Sequence, residues 1–233
     1  MTVAARLFSN LTTAHVADAC LRMGVAVRCA PYDLRPLRSS DRIVGRVSPA
    51  RHFGSVDVFL EALDGSRSGD VLVIDNRGRR DEACMGDLIA LEAKSAGIAG
   101  IVVWGLHRDT PELIEIDLAV FSLGASPTGP LHLEERTPDA LLSAQVGSWI
   151  VDSDDLVIGD ENGVLFVPAA RAENVANAAR TIRDKERVQA EKIRGGTSLR
   201  SQLKFPDFIA GRSADPALTF RRHLRGIGGA VEE

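Results

Sequence analysis

Apolar positions along the chain alternate between helical and strand periods. In "SNLTTAHVADACLRMG", Leu11, Val16, Ala19, Cys20 and Met23 recur at helical spacing. Ser9 or Asn10 is placed to cap this helix and Gly24 to stop it. A strand is expected at Ile43–Val47. "SVDVFLEALDG" predicts a helix with Val56, Phe59, Leu60 and Leu63 on one face. "GDVLVID" (69–75) is short and almost continuously apolar, the mark of a strand covered on both sides. The polar run "NRGRRDEACM" reads as a loop. "GDLIALEAKSAG" then predicts a helix with Leu88, Ile89, Leu91, Ala93 and Ala96 as its apolar stripe and Gly97 as its stop. "GIVVW" is the next strand, so residues 70–104 form a strand–helix–strand unit with parallel strands.

"TPEL" opens another helix, with Thr110 as cap and Pro111 at the first helical position. "LAVFSL" is a strand and "PTGP" a loop. "AQVGSWIV", "DLVIGD" and "GVLFVP" are short β runs of antiparallel or mixed pairing. Ala169 to about Arg194 reads as one long charged helix broken by Gly195-Gly196. The remainder is polar and interrupted and reads as a surface arm against another subunit. The expected organisation is one α/β domain over residues 1–195 and a C-terminal extension over 196–233.

Composition narrows the function classes. The 233 residues carry a net charge of −4 and only 5% aromatics, which favours neither a nucleic-acid surface nor a base-stacking platform. Three cysteines, Cys20, Cys29 and Cys84, form no metal-ligand pattern and read as reduced thiols in a cytoplasm. The N-terminus lacks a signal-peptide core, and no apolar stretch approaches the roughly 20 residues of a membrane span.

The chemistry concentrates at two helix starts. Ligands of open parallel sheets bind beyond the carboxyl ends of the strands. That edge is expected to hold the helix amino end at Gly86, whose first amides attract an anion, and Arg108, whose planar fork suits a carboxylate. With Thr110 as cap, Asp109 falls one place outside the helix and is free to enter the cleft. A carboxylate beside a bound anion needs a cation between them, and Mg²⁺ sits well on one or two carboxylates with water and substrate oxygens. The set suits a 2-oxo acid and its enolate.

"GDLIALEAKSAGIAGIVVWGLHRD" resembles the signature of the RraA-like family, which includes the 4-hydroxy-4-methyl-2-oxoglutarate aldolases. Gly86 and Arg108 stand twenty-two positions apart, as in that signature. "VIGDENGVLFVP" and "TTAHVADA" are similar to two further family elements. The resemblance covers most of residues 10–195. It implies a swivelling α-β-β-α sandwich assembled as a homotrimer or homohexamer with sites near subunit contacts. It implies that Gly86, Asp87, Leu88 and Ile89 bind substrate, that Arg108 binds the 2-oxo acid, and that Asp109 holds Mg²⁺ or Mn²⁺ largely through water. Activity would be retro-aldol cleavage to pyruvate or oxaloacetate decarboxylation, through the pyruvate enolate. The alternative that the resemblance carries is a non-catalytic protein that binds ribonuclease E. The methyltransferase label of some relatives finds no supporting Gly-rich nucleotide loop here.

Trp104 stands where members often carry Asp or Tyr, and His107 where a small or aliphatic residue is usual. Arg77, Arg79 and Arg80 can meet a second substrate carboxylate or form a solvated loop. His107 can move protons or simply diverge from the site. Cys84 precedes the helix start without a base in reach. Asp18 is a local hydrogen-bonding residue or a site residue. His15, His52, His132 and His223 show no ligand spacing.

Overall fold

β-Branched and leucine side chains dominate the strands that the sequence marks most clearly, and these form the centre of the sheet. The computed structural model describes residues 2–51 and 54–228. The expectations for His52 and for the last five residues therefore lie outside the described part. The strands are β1 (Arg28–Cys29), β2 (Arg35–Pro36), β3 (Ile43–Arg51), β4 (Val71–Asp75), β5 (Ala83–Met85), β6 (Gly100–Trp104), β7 (Leu106–His107), β8 (Ala119–Ser122), β9 (Ala144–Val146), β10 (Trp149–Val151), β11 (Asp155–Asp160) and β12 (Gly163–Pro168). The helices are α1 (Val3–Leu7), α2 (Thr13–Arg22), α3 (Asp57–Asp64), α4 (Asp87–Ser95), α5 (Thr110–Ile116), α6 (Ala172–Arg194), α7 (Leu199–Gln202), α8 (Phe205–Ala214) and α9 (Phe220–Ile227).

The main sheet runs β1-β12-β11-β3-β4-β6-β8-β2. Its middle, β3-β4-β6-β8, is parallel, with Val71 opposite Gly100 and Gly100 opposite Ala119. β11, β12 and β1 continue it antiparallel on one side, and β2 closes the other. Strand alternation divides the side chains. Leu72, Ile74, Ile101, Val103 and Val120 face α3, α4 and α5. Leu156, Ile158, Leu165 and Val167 face α1, α2 and α6. The opposite side chains of both halves, Val71, Val73, Val102, Phe121, Val157, Val164 and Phe166, share one core with the β9-β10 hairpin. The sheet is therefore curled over its own inner face, with helices outside each half, which is the expected α-β-β-α layering. Arg35 ties the β2 edge to the β11–β12 turn through Asn162 O at 2.8 Å.

Several local expectations are corrected. Thr12, not Ser9 or Asn10, caps α2. It is extended (φ −93°, ψ 161°), whereas Asn10 is left-handed (φ 59°) and cannot take the extended cap geometry. The α4 stripe is narrower than its leucines suggest. Ile89, Ala90 and Ala93 are buried, while the other expected stripe residues, Leu88 (73% exposed), Leu91 and Ala96, are exposed. The polar run after β4 ends in the buried strand β5, which pairs in parallel with β7. The C-terminal arm is not an irregular polar tail, because its aromatics make a core of their own. Phe208 packs on Phe220 (4.9 Å between ring centroids) and on His223, and Gln202 donates to Gln189 O on α6 at 3.2 Å. No helix among the described residues is long and apolar enough to cross a membrane.

Candidate active site at the start of helix α4

Gly86 follows β5 and takes the cap position of α4 in extended backbone (φ −144°, ψ −159°), with no side chain to cap the helix. Across from it, β7 leads into Arg108, whose amide donates to Met85 O at 3.0 Å. The β5-β7 pair thus brings residues twenty-two positions apart to one place. A Cβ on Gly86 would collide with Asp109 Oδ2 and lie 3.1 and 3.2 Å from Arg108 Cγ and Nε. A side chain here would have to push the Asp109 carboxylate and the Arg108 side chain aside, so glycine is what lets both close on the helix start. The Asp87 amide points to Asp109 Oδ2 at 3.4 Å, and Arg108 Nε lies 3.3 Å from the same oxygen. The Arg108 and Asp109 side chains keep 48% and 33% exposure, so both remain reachable by a ligand.

A cavity of about 210 Å³ opens at this point, lined by Met85, Gly86, Asp87, Leu88, Ile89 and Arg108, with Val56 and Pro130 at its walls. All six expected site residues are thus gathered at one cavity or beside it. Two amides are less open than expected: the Asp87 amide faces Asp109 Oδ2, and the Leu88 amide is engaged as well. The Asp87 carboxylate accepts the Leu88 N–H at 2.8 Å, so an anionic ligand must displace that side chain to use it.

Asp109 differs from its expected placement. It occupies the cap position of α5 itself, in left-handed backbone (φ 60°, ψ 43°), and Thr110 is the first helical residue. Its carboxylate makes no cap hydrogen bond to α5. The left-handed turn sends it to the start of α4 instead, where Oδ2 faces the Asp87 amide beside the cavity rather than lining it.

His107 is buried. Nδ1 lies 2.7 Å from Ser122 Oγ and Nε2 2.9 Å from Thr110 Oγ1. Burial lowers its pKa, against a smaller opposing pull from Asp109. Cys84 is buried and desolvation pushes its thiol up to about 12, so it is no activated nucleophile. Arg79 pairs with Asp81 and Glu82, both at 2.9 Å, and Arg80 pairs with Asp33. Arg77 bridges to Glu134 at 2.9 Å. These arginines are engaged in ion pairs of their own. Trp104 covers Gly78 of the same loop. Asp18 lies on α2, whose apolar face packs with α6 rather than at the α4 cavity.

Two features were missed at the level of sequence. Glu82, 1% exposed, accepts the Leu131 amide at 2.5 Å and pairs with Arg79, which anchors the segment after Gly124. Gly129 of that segment lies against Arg108, where an added Cβ would be 2.8 Å from Nη1. Nothing in "PTGP" beyond its turn chemistry announces this contact.

Among the described residues no group of three or more His, Cys, Asp or Glu side chains could hold a metal ion. A caged metal is therefore not supported. Asp109 alone, a hard oxygen donor beside the cavity and 33% exposed, would suit a hydrated Mg²⁺ or Mn²⁺ completed by water and substrate oxygens.

Residues 13–166 match the RraA-like family, described as Aldolase/RraA. A protein of Halalkalibacterium halodurans provisionally named 4-hydroxy-4-methyl-2-oxoglutarate aldolase is 31% identical over 153 residues, 63% of this chain and 70% of that one. The fold is similar to that of an uncharacterized protein from Pseudomonas syringae pv. tomato (TM-score 0.74, 25% identity, 84% of this chain and 94% of that one). It is also similar to Streptomyces coelicolor RraAS2, described as an unusual member of the RNase ES inhibitor RraA family (TM-score 0.71, 23% identity, 79% and 94%). With its signature residues meeting at one cavity and the family match spanning most of the chain, this protein belongs to the RraA-like family.

Proposed function

We propose that the chain is a divalent-metal-dependent carbon–carbon lyase acting on a 2-oxo acid, such as 4-hydroxy-4-methyl-2-oxoglutarate or oxaloacetate. The observation that carries this reading is the meeting of the α4 amino end and the Arg108 side chain at one cavity, with the Asp109 carboxylate directly beside them. The name of the H. halodurans relative agrees with it.

In this reading the Arg108 fork grips the substrate carboxylate, and the first amides of α4 hold it from the other side. Gly86 leaves room for the Asp109 carboxylate and the Arg108 side chain to close on the start of α4. Asp109 would hold Mg²⁺ or Mn²⁺, which supplies Lewis-acid stabilisation of the charge that grows on the former keto oxygen. In retro-aldol cleavage the C4 hydroxyl gives its proton to water and becomes the carbonyl of the departing fragment, while the C3–C4 bond breaks and its electron pair enters the pyruvate enolate. Decarboxylation of oxaloacetate gives CO₂ and the same enolate, and protonation at C3 then gives pyruvate. Apolar Met85, Ile89, Val56 and Pro130 shield that carbanionic character from bulk water.

The test is pyruvate release by the purified full chain over a panel of 2-oxo acids, with and without Mg²⁺ or Mn²⁺. Metal-dependent release from at least one is expected; none from any, under either metal, sinks the proposal. A non-catalytic ribonuclease-binding regulator is the competing outcome, and tight capture of ribonuclease E by a protein without lyase activity would support it. A cytoplasmic homotrimer or homohexamer belongs to the proposal, and the free thiols Cys20, Cys29 and Cys84 agree with a reducing compartment.

A further inference from the structure

A buried imidazole is tolerated when both ring nitrogens are hydrogen-bonded. His107 meets that condition by joining two elements. Ser122 Oγ, at the end of β8, lies 2.7 Å from Nδ1, and Thr110 Oγ1, at the first residue of α5, lies 2.9 Å from Nε2. Its backbone is held as well. The His107 amide donates to Gly124 O at 3.0 Å, and its carbonyl accepts from Ser126 N at 2.8 Å.

Between His107 and Thr110 the chain turns through Asp109 in left-handed backbone. A residue with a Cβ adopts this conformation rarely, and keeps it when surrounding contacts over-determine it. Before the turn, the Arg108 amide is fixed to Met85 O; after it, the Leu113 amide bonds Asp109 O and starts α5. The imidazole spans the turn from one side to the other. It also accounts for Thr110. With Asp109 at the cap position, the threonine hydroxyl is not needed for capping and is used sideways, on the ring.

We infer that His107 and Thr110 form a clamp that fixes the left-handed turn at Asp109 and so aims its carboxylate at the start of α4, where the cation would bind. Both are positioning residues. Neither ring nitrogen of His107 is free to exchange a proton with substrate while the clamp is closed. The inference rests on the proposed function insofar as Asp109 is taken to hold the metal.

Direct Mn²⁺ binding to the full-length protein, followed by the electron paramagnetic resonance signal of free Mn²⁺, tests the clamp independently of turnover. Asp109→Ala should abolish site binding. Thr110→Val keeps the β-branched shape and removes the hydroxyl; it should weaken Mn²⁺ about 10-fold, the low end of what a ligand loses when the groups that orient it are removed. Thr110→Ser should bind as the parent does. A bond that merely stabilises the fold would lower the melting temperature of Thr110→Val and leave Mn²⁺ affinity unchanged, and that result overturns the clamp. If Thr110→Val does not fold, His107→Asn serves in its place, because it retains a partner for Ser122 and loses the one for Thr110; parent-like affinity there is equally fatal. A parent protein that binds no Mn²⁺ overturns the metal reading itself, and is told apart by Asp109→Ala having nothing to lose.

Discussion

Gly86 and Asp109 exclude a side chain between them: the carboxylate of one occupies the space that a Cβ of the other would need. Gly86→Ala should therefore move Asp109 Oδ2 and the Arg108 side chain together. Displacing reacting groups by about 1 Å can cost about 10²-fold in rate, so pyruvate release should fall by about that factor while the circular dichroism spectrum stays native. Parent-like turnover would show that the closeness has no catalytic use.

Arg108 lies over the same point and meets Gly129 on its other side. Arg108→Ala should reduce turnover by about 10²–10³-fold, the usual effect of removing a donor to a developing oxyanion. Arg108→Lys should remain impaired, because a point charge does not reproduce the planar two-donor fork. Steady-state kinetics on the best substrate of the panel decide both. An Arg108→Ala variant as fast as the parent would remove this residue from the site.

The cysteines should differ in reactivity. Burial pushes the Cys84 thiol up to about 12, and burial, with a smaller push from Cys29, raises Cys20 to about 11. Cys29 is exposed, although burial of its thiol raises its pKa too. Iodoacetamide labelling of the native protein near pH 8, read by peptide mass spectrometry, should modify Cys29 first and leave Cys84 untouched until unfolding. Rapid native labelling of Cys84 would contradict its burial.

Asp160 should make stability pH-dependent in acid. Burial alone would raise its pKa, but the Thr13 hydroxyl and amide, the Asn162 amide and the Arg42 charge outweigh burial and hold it below the ordinary 3.8. A lowered folded-state pKa means stability that is fully present above 3.8 and lost as pH falls through the folded value. Asp160→Asn should therefore cost about 1.5–3 kcal/mol near neutrality, with the gap to the parent closing as pH drops below that range. Urea unfolding at several pH values measures this, and a gap independent of pH would reject the assignment.

The periodic apolar runs at 71–75, 100–104 and 155–168 were enough to place strands, because fully buried strands leave little freedom of composition. The Gly86–Arg108 spacing was legible as the two ends of a strand–helix–strand unit, but the β5-β7 pair that joins them was not, because β5 closes a run that reads as a polar loop. By itself, then, the sequence determined the α/β class, the helix start of the candidate site, and the two charges that follow β7. Tertiary structure decided what depends on partners remote in sequence. It curled the sheet so that Val157 and Phe121 share one core, and it buried Glu82 to anchor the Leu131 segment. It folded the polar C-terminal stretch around its phenylalanines. It also turned Asp109 left-handed, with His107 bonded across to Thr110 and Ser122. A side chain's direction at a turn is set by the sum of contacts from several elements, and no local pattern of residues encodes that sum.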